Sequence, residues 1–154
     1  MDDLEQGEAR ALRFNEEAAD RAIRFFEERL RLSEGQFEGA PLILHESQAF
    51  IVGSLFGWQQ NSVKHGWIRR FRRAYIEQGK GNGKSPLAGG IGLYGLTADG
   101  EAGAEVYSAG ATKDQAAILF RDAVKMVRKS PKLNERLKFS GGEGREYNIA
   151  YLAK

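Results

Sequence analysis

Between Asn15 and Leu32 apolar residues recur at spacings of three and four, at Ala18, Ala19, Ala22, Ile23, Phe26 and Leu30. That spacing winds one apolar stripe along a helix. Asn15 is placed to cap it, and Glu16 and Glu17 suit the positive end of the helix dipole. A connector rich in turn residues follows from Ser33 to Pro41, SEGQFEGAP. A second helical pattern runs from Ser47 to Trp58, with Phe50, Ile51, Leu55 and Phe56 apolar. Gln59 to Gly66 is polar and reads as a loop.

Arg72 to Glu77, centred on Ala74, Tyr75 and Ile76, reads as a short strand. A glycine-rich turn leads from it into a helix over Ser85 to Leu96. Thr97 to Gly103 is a turn, and Glu105 to Ala109 a second short strand. Thr112 to Lys129 is the clearest helix: Ala116, Phe120, Ala123, Val124 and Val127 share a face, and Pro131 lies just beyond. Thr112 and Gln115 match a capping box, in which hydroxyl and amide each take the other residue's backbone N–H. The tail from Phe139 holds a glycine-rich turn and a strand at Tyr147 to Leu152. Strands alternating with helices imply α/β architecture, with a parallel sheet and crossover helices. The glycine-rich turn then falls at the carboxyl end of its strand, where such sheets bind ligands.

That turn is YIEQGKGNGKSPL, Tyr75 to Leu87. A phosphate loop needs backbone N–H groups converging on an anion at the start of a helix. Gly79, Gly81 and Gly83 supply the tight bends, Lys84 the ammonium for the outer phosphates, and Ser85 a hydroxyl for magnesium. Pro86 suits the first helical turn, where its missing N–H costs little. The pattern G-x-x-x-x-G-K-S is incomplete, because Gln78 stands where the opening glycine belongs. The alternative is a surface turn that happens to contain Lys and Ser.

Charge supports an anionic ligand locally and not globally. The 154-residue chain has a formal net charge of only +2, yet Lys64, Arg69, Arg70, Arg72, Arg73, Lys80 and Lys84 lie between positions 64 and 84 against one acid, Glu77. Such a field suits phosphate or nucleic acid, or else is a solvated charged face. Alternate strand residues point opposite ways, so the four arginines from Arg69 to Arg73 cannot share one surface. The chain has no cysteine, which excludes disulfides, thiolate metal sites and cysteine nucleophiles and fits a reducing compartment. MDDLEQGEAR is acidic and lacks the apolar core of a signal peptide, and no apolar run is long enough to span a bilayer. The expectation is a soluble cytoplasmic protein. His45 and His65 have no partner at ligand spacing. Asp114 and Gln115 suit a helix start better than catalysis. Trp58 and Trp67 flank the polar loop and could stack on a base, although packing is the simpler role.

The loop resembles the variant Walker A of the ATPase part of the large terminase subunit of tailed bacteriophages, close to E-V-P-R-K-N-G-K-S-T-L-A-A. Glu77, Asn82, Gly83, Lys84, Ser85, Leu87 and Ala88 occupy matching places, and Lys80 stands where relatives usually have arginine. The family lacks the opening glycine too. FIVGSLFGW (Phe50 to Trp58), RRFRRAYIE (Arg69 to Glu77), EVYSAGATKDQAAILF (Glu105 to Phe120) and MVRKSP (Met126 to Pro131) resemble family segments in the same order.

The resemblance implies a P-loop NTPase-like three-layer parallel sheet with flanking helices, incomplete and preceded by N-terminal helices. It divides the chain into a helical segment, 1–40, and a partial ATPase domain, 41–154, lacking the Walker B strand and the nuclease domain. It implies ATP and Mg2+ bound through Lys80, Gly81, Asn82, Gly83, Lys84 and Ser85, with Ser85 the metal ligand and Gln48 placed for adenine. Double-stranded DNA, the portal and the small terminase subunit are the implied partners of the complete protein, in the cytoplasm of a host cell.

Three departures stand out. Relatives have proline and tryptophan just before the adenine glutamine, where this chain reads Leu44-His45-Glu46-Ser47-Gln48. Gly89, Gly90, Gly92 and Gly95 stand where relatives favour alanine, which implies a softer helix. No apolar run ends in the Asp-Glu pair that would hold magnesium and activate water. The expectation is therefore a truncated or partial terminase that binds nucleotide and hydrolyses it poorly. The alternative is a non-enzymatic prophage remnant, or an interaction module whose basic segment contacts DNA or protein.

Overall fold

The structure is a computed structural model of the chain, described over residues 11–101 and 103–151. The acidic start, residues 1–10, and Leu152 at the end of the last expected strand lie outside these. The chain divides into two compact units, one running up to Arg24 and resuming over Leu44–Gln78, the other comprising Phe25–Ile43 and the chain from Gly79 onward.

The first unit holds β1 (Leu12–Phe14), the first part of α1 (Glu16–Arg29), α2 (Glu46–Gly57), β2 (Trp58–Ser62) and β3 (Gly66–Arg69). Helix α1 starts where its cap dictates, with Asn15 Oδ1 accepting the Ala18 N–H at 3.0 Å. The three strands form an antiparallel sheet in the order β1-β2-β3. The polar stretch expected as a loop is thus mostly a hairpin. Gln59, Gln60, Asn61 and Ser62 carry no apolar alternation, so nothing in their pattern reported a strand. Pairing with both neighbours supplies the hydrogen bonds instead. The rings of Phe14 and Trp58, opposite in register, meet edge to face at 5.4 Å.

The second unit takes the rest of α1 and adds α3 (Lys84–Thr97), α4 (Lys113–Lys129), the single turn α5 (Pro131–Asn134) and an antiparallel hairpin of β4 (Leu137–Ser140) and β5 (Asn148–Tyr151). Its core joins Phe26, Leu30, Leu87, Leu93, Tyr94, Met126 and Val127, all buried. Phe25 packs edge to face on Tyr94 at 5.3 Å.

The glycines of α3 explain their own presence at the tightest point. A Cβ on Gly90 would overlap the Phe26 ring and come within 2.9 Å of Leu30 Cδ1. Gly89 faces the α4 backbone, where a Cβ would lie 3.7 Å from Ala123 N. These glycines therefore set the closeness of packing, which the sequence showed only as lost helix propensity.

Helix α4 begins at Thr112, whose Oγ1 accepts the Gln115 N–H at 3.2 Å. Its cations clamp two loops. Lys125 pairs with Glu34 and Lys129 with Glu38 of the connector, while Arg128 pairs with Glu143 and Glu146 of the terminal hairpin.

Every ladder among the described residues is antiparallel. Of the three segments expected as strands of a parallel sheet, Tyr147–Leu152 supplies β5 of the antiparallel hairpin, while Arg72–Glu77 and Glu105–Ala109 have no regular secondary structure and belong to no ladder. Their apolar side chains read as strands, but a strand exists only where a neighbour takes its backbone hydrogen bonds. Segment 105–109 is fastened by side chains instead: Val106 packs on Gly92, and Ser108 Oγ donates to Ala116 O at 2.7 Å.

Candidate functional site

The glycine-rich turn lies within the second unit, at the mouth of α3. Gly81 has φ of +87° and Gly83 φ of +70° with ψ of 24°. Ala11 is the one non-glycine residue with positive φ among those described, so the residues flanking each of these glycines are right-handed or extended. The sign of φ thus alternates from Lys80 to Lys84. Alternation of right-handed and left-handed residues is the backbone pattern from which anion-binding nests are built.

Helix α3 follows the turn directly. Its first bond runs from the Leu87 N–H to Gly83 O at 3.0 Å, and Pro86 has no N–H. The helix offers no internal acceptor to the N–H groups of Lys84 and Ser85, and its dipole is positive here. No acid occupies the first turn to oppose it.

The Gly79 carbonyl anchors the turn from below. It accepts the Lys84 Nζ at 2.8 Å and the Asn82 N–H at 3.4 Å. The Lys84 side chain therefore folds back across the loop, though it stays exposed. Gly79 and Asn82 also touch closely, since a Cβ on Gly79 would lie 3.4 Å from Asn82 Nδ2. Lys80, Gly81, Asn82 and Lys84 are exposed, while Gly83 and Ser85 are half-buried. The six residues expected at the site, Lys80 to Ser85, form one continuous turn.

Gln48 lies in the first unit and has a structural task there. Its Oε1 accepts the His45 N–H at 3.1 Å, and His45 Nδ1 accepts the Ser47 N–H at 3.3 Å. Together they form a capping box at the start of α2. At Thr112 and Gln115, where the sequence suggested a box, only the hydroxyl half is seen, and the box here was invisible because histidine is not among the usual capping residues. Among the described residues no three His, Asp or Glu side chains gather as a metal site.

Residues 46–140, more than half of the chain, match the family model described as the terminase large subunit, ATPase domain. The chain belongs to this family.

A solved structure agrees. The large terminase of bacteriophage HK97 superposes with a TM-score of 0.65 at 26% sequence identity, over 80% of this chain and 23% of that one. The chain thus spans about a quarter of that terminase. No curated protein matches it. The matched residues of the terminase ATPase family include the whole turn from Gly79 to Ser85 and helices α2, α3 and α4.

Proposed function

We propose that this terminase ATPase domain binds ATP with Mg2+ through the turn from Lys80 to Ser85. The observation that carries the reading is the alternating backbone of Gly81 and Gly83 running into α3, with Lys84 Nζ folded over it onto Gly79 O. The donor set fits a triphosphate: backbone N–H groups and a helix N-terminus face one side, and two ammonium groups, Lys80 and Lys84, flank them. Ser85 would ligate the magnesium ion, and Gln48 would contact adenine. Magnesium bound there would neutralise phosphate charge. The chain's own residues hold and orient the phosphates and keep a positive field around them.

Family membership extends the reading to the complete protein, where nucleotide hydrolysis would power packaging of double-stranded DNA with the portal and small subunit as partners, in the host cytoplasm. No helix among the described residues is long and apolar enough to cross a membrane. Segments Arg72–Glu77 and Glu105–Ala109 would be strands of the parallel sheet of a P-loop fold. Helix α1 would precede that domain. With no apolar run ending in Asp-Glu, the chain by itself should hold ATP without rapid turnover.

Calorimetric titration with ATP and magnesium tests this, wild type against Lys84→Ala. Saturable wild-type binding that weakens at least tenfold in the variant supports the site. Equal weak binding by both chains removes it.

A further inference from the structure

The β1-β2-β3 register sorts side chains in a way that the sequence does not show. Arg13, Gln59 and Arg69 lie directly opposite one another across the three strands. Asn61 and Trp67 form the next row on the same face, two residues along β2 and β3. That face therefore carries two carboxamides, an indole and the Arg13 guanidinium, with Arg69 on its edge strand and the Arg69 guanidinium 5.4 Å from the centre of the Phe56 ring.

These groups are organised. Arg13 Nε donates to Gln59 Oε1 at 2.8 Å, and the Arg13 guanidinium lies 4.3 Å from the centre of the Trp67 ring. Arg13, Asn61, Trp67 and Arg69 are exposed, Trp67 to 38%. None of the five residues in these rows is acidic.

We infer that this sheet face is a docking surface for single-stranded nucleic acid. Flat indole and guanidinium groups stack on unpaired bases, carboxamides hydrogen-bond to base edges, and the arginines meet phosphates. A basic patch alone would suit any polyanion. The stacked Arg13–Trp67 pair between two amides is the feature that a duplex, with its bases already stacked, would not use. An acidic peptide would leave the amides and the indole idle. The surface shares no residue with the Lys80–Ser85 turn.

Fluorescence anisotropy with a labelled twenty-nucleotide oligo(dT) tests the inference on the full chain, with a duplex of equal length as the second arm. The single strand should bind more tightly than the duplex. Trp67→Ala should weaken single-strand binding about tenfold, and Trp67→Phe should restore most of it. Arg13→Gln should lower the salt slope by about 0.7. Lys84→Ala should change neither. If Trp67→Ala fails to fold, Arg13→Gln and Trp67→Phe decide the matter, both being mild changes to an exposed face. Duplex binding as tight as single-strand binding, or an Arg13→Gln variant with unaltered affinity and salt slope, overturns it.

Discussion

Lys84 Nζ and Gly79 O meet at 2.8 Å, so the cation of the loop is held by the loop's own first carbonyl. The contact spans five residues and ties the start of α3 to the start of the turn. An ammonium held this way has lost part of its rotamer freedom before any anion arrives, which reduces the ordering cost of binding.

Lys84→Ala should therefore weaken ATP binding by a factor of ten or more and leave the fold intact. Lys84 is exposed, and surface substitutions of this kind change stability by roughly 0.5 kcal/mol or less. Titration calorimetry and urea unfolding of the same two proteins separate the two effects.

Gly83→Ala should lower stability and affinity together. A side chain at φ of +70° costs about 1–2 kcal/mol in the left-handed region. Relief by rotating φ would break the alternation that converges the N–H groups. The expected result is a lower urea midpoint with an ATP affinity reduced at least tenfold, read by the same two measurements.

Gly90→Ala and Gly95→Ala should differ in sign although both lie in α3. At Gly90 the new methyl overlaps Phe26, and overpacking of this kind costs about 1–3 kcal/mol. At Gly95 the methyl would lie 3.9 Å from Val106 Cγ2, an ordinary contact, so the helix propensity of alanine adds about 0.5–1 kcal/mol. Denaturant midpoints of the two variants check the ordering.

Two neighbouring carboxyls should oppose each other in acid. The Lys125 hydrogen bond and charge hold Glu34 below the usual carboxylate range. Its contribution to stability is present above the unfolded pKa and is lost as pH falls through the folded one. Burial, then the Glu34 charge, pushes Asp122 up. Its contribution is present below the unfolded pKa and fades as pH rises through the folded one. Glu34→Gln should destabilise slightly at pH 7 and less at pH 3, by roughly 0.2–1 kcal/mol at the higher pH because the pair is exposed. Asp122→Asn should be neutral or stabilising at pH 7. Urea unfolding at both pH values reads the two signs.

Lys125 completes the pair from the alkaline side. The Glu34 hydrogen bond raises its pKa, so its contribution holds below the unfolded value and disappears as pH rises through the folded one. The wild-type advantage over Glu34→Gln should therefore vanish at strongly alkaline pH, measured in the same way.

Local chemistry was readable wherever a residue acts on its own neighbours. Asn15 caps α1, Thr112 caps α4, and the turn from Gly79 to Ser85 enters a helix as its glycines, Lys84 and Ser85 require. The β2–β3 hairpin was not readable, because Gln59 to Ser62 hold no apolar alternation and owe their strand to β1 and β3. Segments Arg72–Glu77 and Glu105–Ala109 show the converse. Their composition suits strands, yet they have no ladder, since composition cannot supply a partner's hydrogen bonds.

The sequence by itself determined the four long helices, the caps at Asn15 and Thr112 and, through its motif order, the terminase family. Only the tertiary structure decided that Lys84 turns back onto Gly79, that Gly90 is needed against Phe26, and that Arg13, Gln59, Asn61, Trp67 and Arg69 share one face. The first group depends on neighbours a few positions away along the chain. The second depends on which distant residue fills the adjoining space, and register and packing settle that only when the chain has folded.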